Sequence, residues 1–477
     1  MTALLDQMVN RRRAALFDKL DALGGDFAEW IALSEKGKSL EKHHTQIGRL
    51  VRRLERLRAA LYSDIEALGS AGASALADGH VLERDVLFLH NMWEFFRGKF
   101  AQRCVPWMKG FLDAADDYAW ACLEPVSKAA VAAGHIAATK VREPPLTHLN
   151  SDWSPFAATR GTSFMSVTVP TSGTDRDAFI REVKTLPLSV LGVPWYQLSH
   201  LPDALILAHE VGHVVEDDLK LTPVLLQHLN RTFEDKHVPE SRAAAWRAWL
   251  GEAFADVFGT AAGGRAFCFA LLDFVTLDVS DVRTELAQSP AWGFYPITAL
   301  RADLMAGALE VLGDAAGASE VVARRDALLD GSNTMPAFRN DAKAIARTWL
   351  ESKLTAFGDT SLASVARIPR THWQEAERVS SAAIGTKLPL PSSDVRVLVS
   401  GARIAFEAAP EKYRLPLVPL SAVKGDVQSL VLSHLAATRK QGVRGPREFL
   451  GEQHAPALQQ YDDDEADRLR ARLRTRT

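Results

Sequence analysis

Hydrophobic positions near the N-terminus follow a seven-residue repeat, which predicts a long amphipathic helix. The repeat and its complementary positions comprise Leu40, Ile47, Leu50, Leu54, Leu57, Leu61 and Leu68. A Gly-, Ser- and Ala-rich stretch, 69–79, ends the repeat, and apolar residues resume over 81–100. We therefore predict an antiparallel helical hairpin whose apolar stripe packs inside the molecule rather than forming a coiled coil between two chains. His43 and His44 are predicted to lie on its solvated surface.

The rest of the chain alternates helical patterns with short irregular stretches. Prolines break the pattern over 140–161, which predicts a linker or an irregular approach to a second domain. Apolar and polar residues then alternate over 163–170, as a half-buried strand requires. The final third looks helical, and its end carries acidic residues at 462–465 followed by arginines over 468–476. That order matches a helix dipole and predicts a solvated terminal helix.

One motif inside an apolar stretch carries recognisable chemistry. His209, Glu210 and His213 spell H-E-x-x-H between apolar residues on both sides. On a helix the two histidines lie one turn apart, so both imidazoles leave the same face and can bind one Zn²⁺. Glu210 lies about 100° round the helix, where it can activate a water molecule. The motif therefore predicts a zinc hydrolase, most simply a peptidase.

A second pair of acidic residues lies downstream on another predicted helix. Glu252 and Asp256 are four residues apart, so they share one helical face. Gly263 and Gly264 end this helix, and a further apolar helix follows over 265–275. A carboxylate in this pair can supply the third ligand, which is the feature that separates the families of zinc hydrolases.

With these two motifs the chain resembles the gluzincin metallopeptidases, in which H-E-x-x-H on one helix is completed by E-x-x-x-D on a second. The resemblance covers well under a third of the chain. It implies that His209, His213 and Glu252 bind one zinc ion per chain. It also implies that Glu210 is the general base and that Asp256 accepts a hydrogen bond from a ligand histidine. A ligating imidazole needs its other N–H fixed by such an acceptor, so the physical requirement agrees.

Other residues near the motif offer alternative third ligands. A metzincin would carry a further histidine six residues after His213, where this chain has Leu219, so that family is excluded. Glu216 and Asp217 share the helical face of His213 but lie one turn beyond the histidine pair. They are better placed to cap the site or to face solvent, although they stay open as alternatives to Glu252.

The segment 292–301 holds the candidate donors to an oxyanion. Gluzincins commonly place a Tyr or His, and sometimes an Arg, where it can stabilise the negative oxygen of the tetrahedral intermediate. Tyr295 or Arg301 could serve in that role, while Tyr-Pro before a helix is also ordinary loop chemistry. The strand predicted at 163–170 could likewise be the sheet edge that pairs with an extended substrate, or a purely structural strand.

Composition indicates the class of protein and the cellular compartment in which this chemistry would take place. The chain has 477 residues, 47% of them apolar, and a formal net charge of -3. That charge, without long lysine or arginine blocks, argues against a general nucleic-acid binder. Three cysteines without C-x-x-C spacing argue against a cysteine zinc site and indicate a reducing cytoplasm. Residues 1–14 lack the apolar core of a signal peptide, and no uninterrupted apolar span of ~20 residues occurs, so we expect neither secretion nor a membrane span.

These observations predict a mostly α fold with an α+β, zincin-like catalytic core, a small sheet and flanking helical lobes. We expect a helical domain at 1–144, the metallopeptidase core at 145–315 and a helical C-terminal region at 316–477. The predicted activity is that of a cytoplasmic zinc endopeptidase that cuts a restricted protein substrate, with Glu210 activating water.

Two alternatives to a peptidase remain open. The chain could be a zinc hydrolase that acts on something other than a peptide, since the same ligands serve any activated-water chemistry. It could also be a helical interaction protein that binds a protein partner through its lobes and holds a structural zinc. The presence of Glu210 favours catalysis, because a structural zinc site has no use for a base.

Overall fold

The structure of the protein is a computed structural model. It describes residues 2–69, 72–152, 154–157, 179–275, 295–329, 335–413, 426–438, 445–450 and 455–474. The strand predicted at 163–170, and the residues 292–294 that precede Tyr295, lie outside these described residues.

Helices make up most of the described chain, so the predicted mostly α fold is confirmed. In chain order they are α1 (Thr2–Leu33), α2 (His44–Glu66), α3 (Gly72–Ala101), α4 (Pro106–Ala132), α5 (Leu207–Asp218), α6 (Thr222–Asp235), α7 (Glu240–Ala248), α8 (Leu250–Val275), α9 (Thr298–Leu312), α10 (Ala315–Leu328), α11 (Pro336–Glu351), α12 (Leu362–Val365), α13 (His372–Ile384), α14 (Val395–Ala408), α15 (Val427–Thr438), α16 (Pro446–Leu450) and α17 (Ala455–Arg474). Short 3-10 turns join several of them.

The strands of the described residues form two small sheets. They are β1 (Glu143–Asn150), β2 (Phe156–Ala157), β3 (Leu188–Pro194), β4 (Lys353–Leu354) and β5 (Thr360–Ser361). The larger sheet has the order β1-β3-β2, with β2 antiparallel to β3, and the smaller sheet pairs β4 with β5. Strand β1 corrects the linker predicted around Pro144 and Pro145. Proline has no N–H to donate to a neighbouring strand, but β1 lies at the edge of the described sheet, where proline is tolerated.

The chain forms two compact units, each built from stretches that are distant in sequence. Unit 1 contains Met1–Val105, Gly161–Ser189 and Val443–Thr477, and unit 2 contains Pro106–Arg160 and Val190–Gly442. The hydrophobic pattern instead predicts three consecutive domains, at 1–144, 145–315 and 316–477. Interleaving of this kind requires contacts between distant stretches, which local hydrophobic patterns do not report.

Unit 1 is a bundle of helices in which the seven-residue repeat faces inward. Helices α1, α2 and α3 pack on one another, and α17 packs on α2. Every apolar residue of the repeat is buried, which confirms its prediction as an intramolecular core. The helical break is shorter than predicted, because α2 ends at Glu66 and α3 already begins at Gly72. Alanines within 72–79 favour a helix there.

The prediction that His43 is a surface residue is wrong. His43 is buried, with Nδ1 against Gln46 Oε1 and its ring packed on Phe100. His44 is exposed, as predicted. The two histidines are neighbours at the start of α2, so the hydrophobic pattern alone could not separate the inward ring from the outward one.

The terminal helix α17 is not the solvated helix that its composition predicted. Its apolar residues Leu458, Leu469 and Leu473 are buried. Its acidic Asp462 is buried as well, in contact with arginines of α2. The acidic and basic residues of α17 therefore pair with oppositely charged residues of unit 1, in addition to complementing the helix dipole.

Unit 2 holds the helices of both motifs. Helix α5 packs on α8 and α4, and α9 packs on α8. The break predicted at Gly263 and Gly264 is confirmed, since Gly264 has φ +62° and ψ -155°, a conformation that only glycine adopts readily. Within the described residues, α8 is long and apolar enough to cross a membrane by length and composition, but most of it is buried inside the protein. The structure is therefore compatible with a soluble protein.

Candidate metal centre

Helix α5 holds the first three predicted site residues in the interior of unit 2. A 3-10 turn, Leu201–Ile206, leads directly into α5. The apolar residues of α5 are buried and fix the helix in the core. His209, Glu210 and His213 are also buried. Buried polar side chains are costly unless they find partners, so the groups around these three residues determine what they can do.

The close approach of α8 to α5 depends on Gly212, inside the H-E-x-x-H motif. A Cβ added at Gly212 would lie 2.8 Å from Ala255 Cα and 3.2 Å from Ala255 Cβ. A larger residue here would force the two helices apart, because closely packed interiors leave no space to absorb it. The H-E-x-x-H spacing does not predict this role, although a glycine inside an apolar helix is a signal for close packing. The contact brings Glu252 and Asp256 of α8 beside the histidines of α5.

Three donor atoms from the two helices converge. Glu252 Oε2 lies 3.2 Å from His209 Nε2 and 3.4 Å from His213 Nε2. Zinc bonds of about 2.05 Å at tetrahedral angles separate neighbouring ligand atoms by about 3.3 Å. Hydrogen bonds between charged groups are shorter, at about 2.7–2.9 Å. The two distances from Glu252 Oε2 are therefore also compatible with donor atoms that share one metal ion.

The electrostatics of this centre favour positive charge. Burial alone would lower the pKa of His209, but hydrogen bonds to Asp256 and Glu252 raise it to about 9. Burial alone would raise the pKa of Glu252, but its contacts with His209 and His213 hold that pKa well below its ordinary value. Two buried carboxylates thus stabilise a positive charge among the imidazoles. A divalent cation could take up that role when His209 loses its proton.

Asp256 joins a candidate ligand to a buried arginine. Asp256 Oδ1 lies 2.8 Å from His209 Nδ1, so the other ring nitrogen, Nε2, faces Glu252. Arg301 of α9 donates to both oxygens of Asp256, from Nε at 2.8 Å and from Nη2 at 2.7 Å. Burial alone would raise the pKa of Asp256, but the charge and hydrogen bonds of Arg301 lower it. The carboxylate stays ionised and can fix the orientation of the imidazole.

The two candidate oxyanion donors, Tyr295 and Arg301, lie next to each other. Tyr295 is 57% exposed, and Arg301 Cζ lies 5.7 Å from the centre of its ring. Burial alone would lower the pKa of Arg301, but Asp256 raises it and keeps the guanidinium charged. The bidentate bond to Asp256 gives Arg301 a positioning role that the sequence analysis did not predict. Tyr295 lies at the exposed end of a chain of contacts that runs through Arg301 and Asp256 to His209.

The alternative third ligands on α5 have other partners. Glu216 is buried but accepts a hydrogen bond from Thr222 Oγ1 at 2.9 Å. Asp217 pairs with Lys220 Nζ at 3.1 Å. Both acids are therefore tied to the turn between α5 and α6. In the part of the chain that the structure describes, neither joins the group of donor atoms around Glu252 that could hold a metal ion.

Glu210 is 6% exposed and interacts electrostatically with His209. Among the described residues, no side-chain hydrogen bond or ion pair engages its carboxylate. A carboxylate in this setting can accept a proton from a molecule that enters the site. His213 Nδ1 is also buried and has no hydrogen-bond partner within the described ranges. Asp256 accepts a hydrogen bond from His209, whereas His213 Nδ1 has no such acceptor among the described residues.

The site as a whole combines a donor set with the groups that position it. His209, His213 and Glu252 could hold one metal ion, and all three donor atoms lie within 4.8 Å of one another. Asp256 and Arg301 position His209 from behind, and Glu210 lies on the same helix as both histidines. No family model, curated protein or solved structure matches the chain.

Proposed function

We propose that the protein is a zinc-dependent peptidase of the gluzincin type. The observation that carries the proposal is the convergence of donor atoms of His209, His213 and Glu252, with Glu252 Oε2 3.2 and 3.4 Å from the two imidazole nitrogens. Two imidazoles and one carboxylate form a catalytic set, because they leave a fourth position open. Structural zinc sites usually fill all four positions with protein ligands.

In the proposed reaction the chain's own residues move the proton and orient the ligands. When bound, zinc would polarise the scissile carbonyl and acidify water. Glu210 accepts a proton from the attacking water and then passes it to the nitrogen of the leaving amine as the C–N bond breaks. Asp256, held by Arg301, keeps the imidazole of His209 in place throughout.

Tyr295 is the proposed donor to the oxyanion. Its accessibility and its contact with Arg301 support this assignment, because a substrate arriving from solvent could reach a phenol that adjoins the guanidinium bound to Asp256. A donor of this kind stabilises negative charge that develops only in the transition state. Its loss would therefore lower the rate of the chemical step more than the affinity for substrate.

We also propose that the peptidase works in the cytoplasm on a restricted protein substrate. Cys104, Cys122 and Cys268 are all free, which suits a reducing compartment. Burial raises the pKa of Cys122 and Cys268 to about 12, so these two thiols are poor nucleophiles at neutral pH. A peptidase surrounded by cytoplasmic proteins must spare most of them, so we expect few cleavage sites.

Comparison of new protein N-termini in cells tests the proposed activity. Wild type, Glu210→Gln and Glu216→Gln are expressed at equal levels; the two glutamates are both buried on α5, so Glu216→Gln is the matched control. We expect a small set of new N-termini with wild type and Glu216→Gln, and none of that set with Glu210→Gln, because an amide cannot take the proton. The same N-termini with Glu210→Gln would show that the assignment is wrong.

A further inference from the structure

A row of charge pairs joins helices α2 and α17 within unit 1. Four arginines of α2, here named the arginine stripe, share one helical face: Arg49, Arg52, Arg53 and Arg56. The pairs are Arg49 and Arg53 with Asp462, Arg52 with Asp463, and Arg56 with Asp467. Further along, Arg470 of α17 pairs with Asp64 of α2. Three acidic residues of α17, Asp462, Asp463 and Asp467, therefore pair with the arginine stripe.

Asp462 is the centre of this contact. It is 1% exposed, and it accepts hydrogen bonds from Arg49 Nε and Nη2 at 2.9 Å each and from Arg53 Nε at 2.8 Å. Both arginines are buried as well. Removal of the carboxylate would take away the acid that the two buried arginines share, which disfavours the docked arrangement. Asp464 of the same helix is exposed and accepts a hydrogen bond from Gln460.

The contact between α17 and α2 combines charge pairs with apolar packing. The described apolar residues that α17 buries are Leu458, Ala466, Leu469 and Leu473. Exposed ion pairs such as Arg56 with Asp467 are weak and are screened by salt. A terminal helix held in this way can open locally while the rest of its unit stays folded. Opening of α17 would take its carboxylates away from all four arginines, of which Arg49 and Arg53 are buried.

We propose that the arginine stripe is a docking site for an acidic helix of a partner protein, a site that α17 fills within its own chain. Charge complementarity selects this occupant, because carboxylates spaced like Asp462, Asp463 and Asp467 each meet an arginine fork in bidentate geometry. The chain's own helix is present at high effective concentration and competes with any partner. Partner binding therefore increases whenever the hold on α17 weakens.

A labelled peptide of residues 455–474 is the probe for this site. Wild type should bind it weakly, because α17 occupies the arginine stripe. Asp462→Asn loosens α17 and should bind the peptide roughly tenfold more tightly, since the open fraction sets the apparent affinity. Asp464→Asn removes the same charge from the exposed side of α17 and should bind as wild type does. Equal affinities for Asp462→Asn and Asp464→Asn would overturn the proposal.

Hydrogen exchange on the wild-type chain tests the same opening without a variant. Raising NaCl from about 0.05 M to about 0.5 M should speed exchange in α17 roughly tenfold relative to α3, because screening weakens the charge pairs. Exchange in α17 that does not respond to salt would contradict the proposal. Two further outcomes would overturn the choice of occupant: tighter binding of a single-stranded RNA than of the peptide, or concentration-dependent dimerisation of Asp462→Asn.

Discussion

At the residue scale, buried charge defines the candidate metal centre. Glu252 and Asp256 are ionised acids inside unit 2, and each approaches a different nitrogen of His209. Buried charges of this kind are unfavourable unless cations or donors compensate them. Arg301 pairs directly with Asp256, and Glu252 lies against the imidazoles of His209 and His213. These contacts support the proposal that Glu252 is a ligand and Asp256 a positioning residue.

Asp256→Asn should weaken zinc binding by about 10–100-fold, because the amide keeps the size of the side chain but loses the charge that orients His209. Competition with a chromophoric chelator measures this affinity directly. Asp341→Asn is the control, since Asp341 is also buried and paired with an arginine, Arg242. It should lower stability and leave the zinc affinity of the folded protein near normal. Equal zinc affinities for wild type and Asp256→Asn would rule out the positioning role.

Tyr295→Phe should lower kcat by about 10²–10³ with little change in KM, because the lost hydrogen bond acts only in the transition state. Tyr196→Phe serves as the control, as Tyr196 is an exposed tyrosine of the same unit with no assigned role. Steady-state kinetics, with zinc content verified for each protein, decide the matter. An unchanged kcat for Tyr295→Phe would remove Tyr295 from the reaction.

At the scale of elements, the site exists because α5 and α8 can touch. Gly212 allows that contact, and the bend at Gly264 ends the straight part of α8 beyond Glu252 and Asp256. Donor atoms on two separate helices hold a metal only if the helices keep a fixed separation, so backbone packing determines ligand geometry here. A change that moves the helices by a fraction of an ångström is therefore expected to act on the metal site as well as on stability.

Gly212→Ala should lower the free energy of unfolding by about 1–3 kcal/mol, because its Cβ would overlap Ala255 of α8. Zinc affinity should fall with it, since Glu252 moves away from the histidines. Gly48→Ala is the control: Gly48 lies inside α2, a Cβ there meets nothing within 4 Å, and stability should rise by about 0.5–1 kcal/mol. Denaturant unfolding and zinc titration of both variants check these values. Normal stability and normal zinc affinity in Gly212→Ala would contradict this view of the helix contact.

At the scale of the whole molecule, sequence periodicity predicted those features of the fold that depend on residues close together along the chain. The mostly α fold, the buried leucine repeat and the bend at Gly264 all belong to that class. Strand β1 was missed because its prolines look like a linker until its place at a sheet edge is known. The burial of His43 and the docking of α17 depend on residues far away in sequence, as does the interleaving of the two units.

Some residues of the candidate site could be predicted from their spacing in the sequence, and others only from contacts between distant residues. His209, Glu210 and His213 form a motif within one helix, so their spacing alone identified them. Glu252 required the family resemblance, because a third ligand on a second helix has no fixed distance in sequence. The pairing of Arg301 with Asp256 joins two helices, and the sequence offered no signal for it. Spacing therefore reveals the chemistry of a site more readily than the contacts that hold it in place.

Zinc stoichiometry by native mass spectrometry tests the proposed metal centre most directly. Wild type and Glu216→Ala should each carry one zinc per chain. Glu252→Ala, measured at the same protein and zinc concentrations, should lose most of its zinc, because two remaining ligands hold the ion poorly. Full zinc occupancy in Glu252→Ala, or wild-type protein that takes up no zinc, would contradict the assignment of His209, His213 and Glu252 as the ligands.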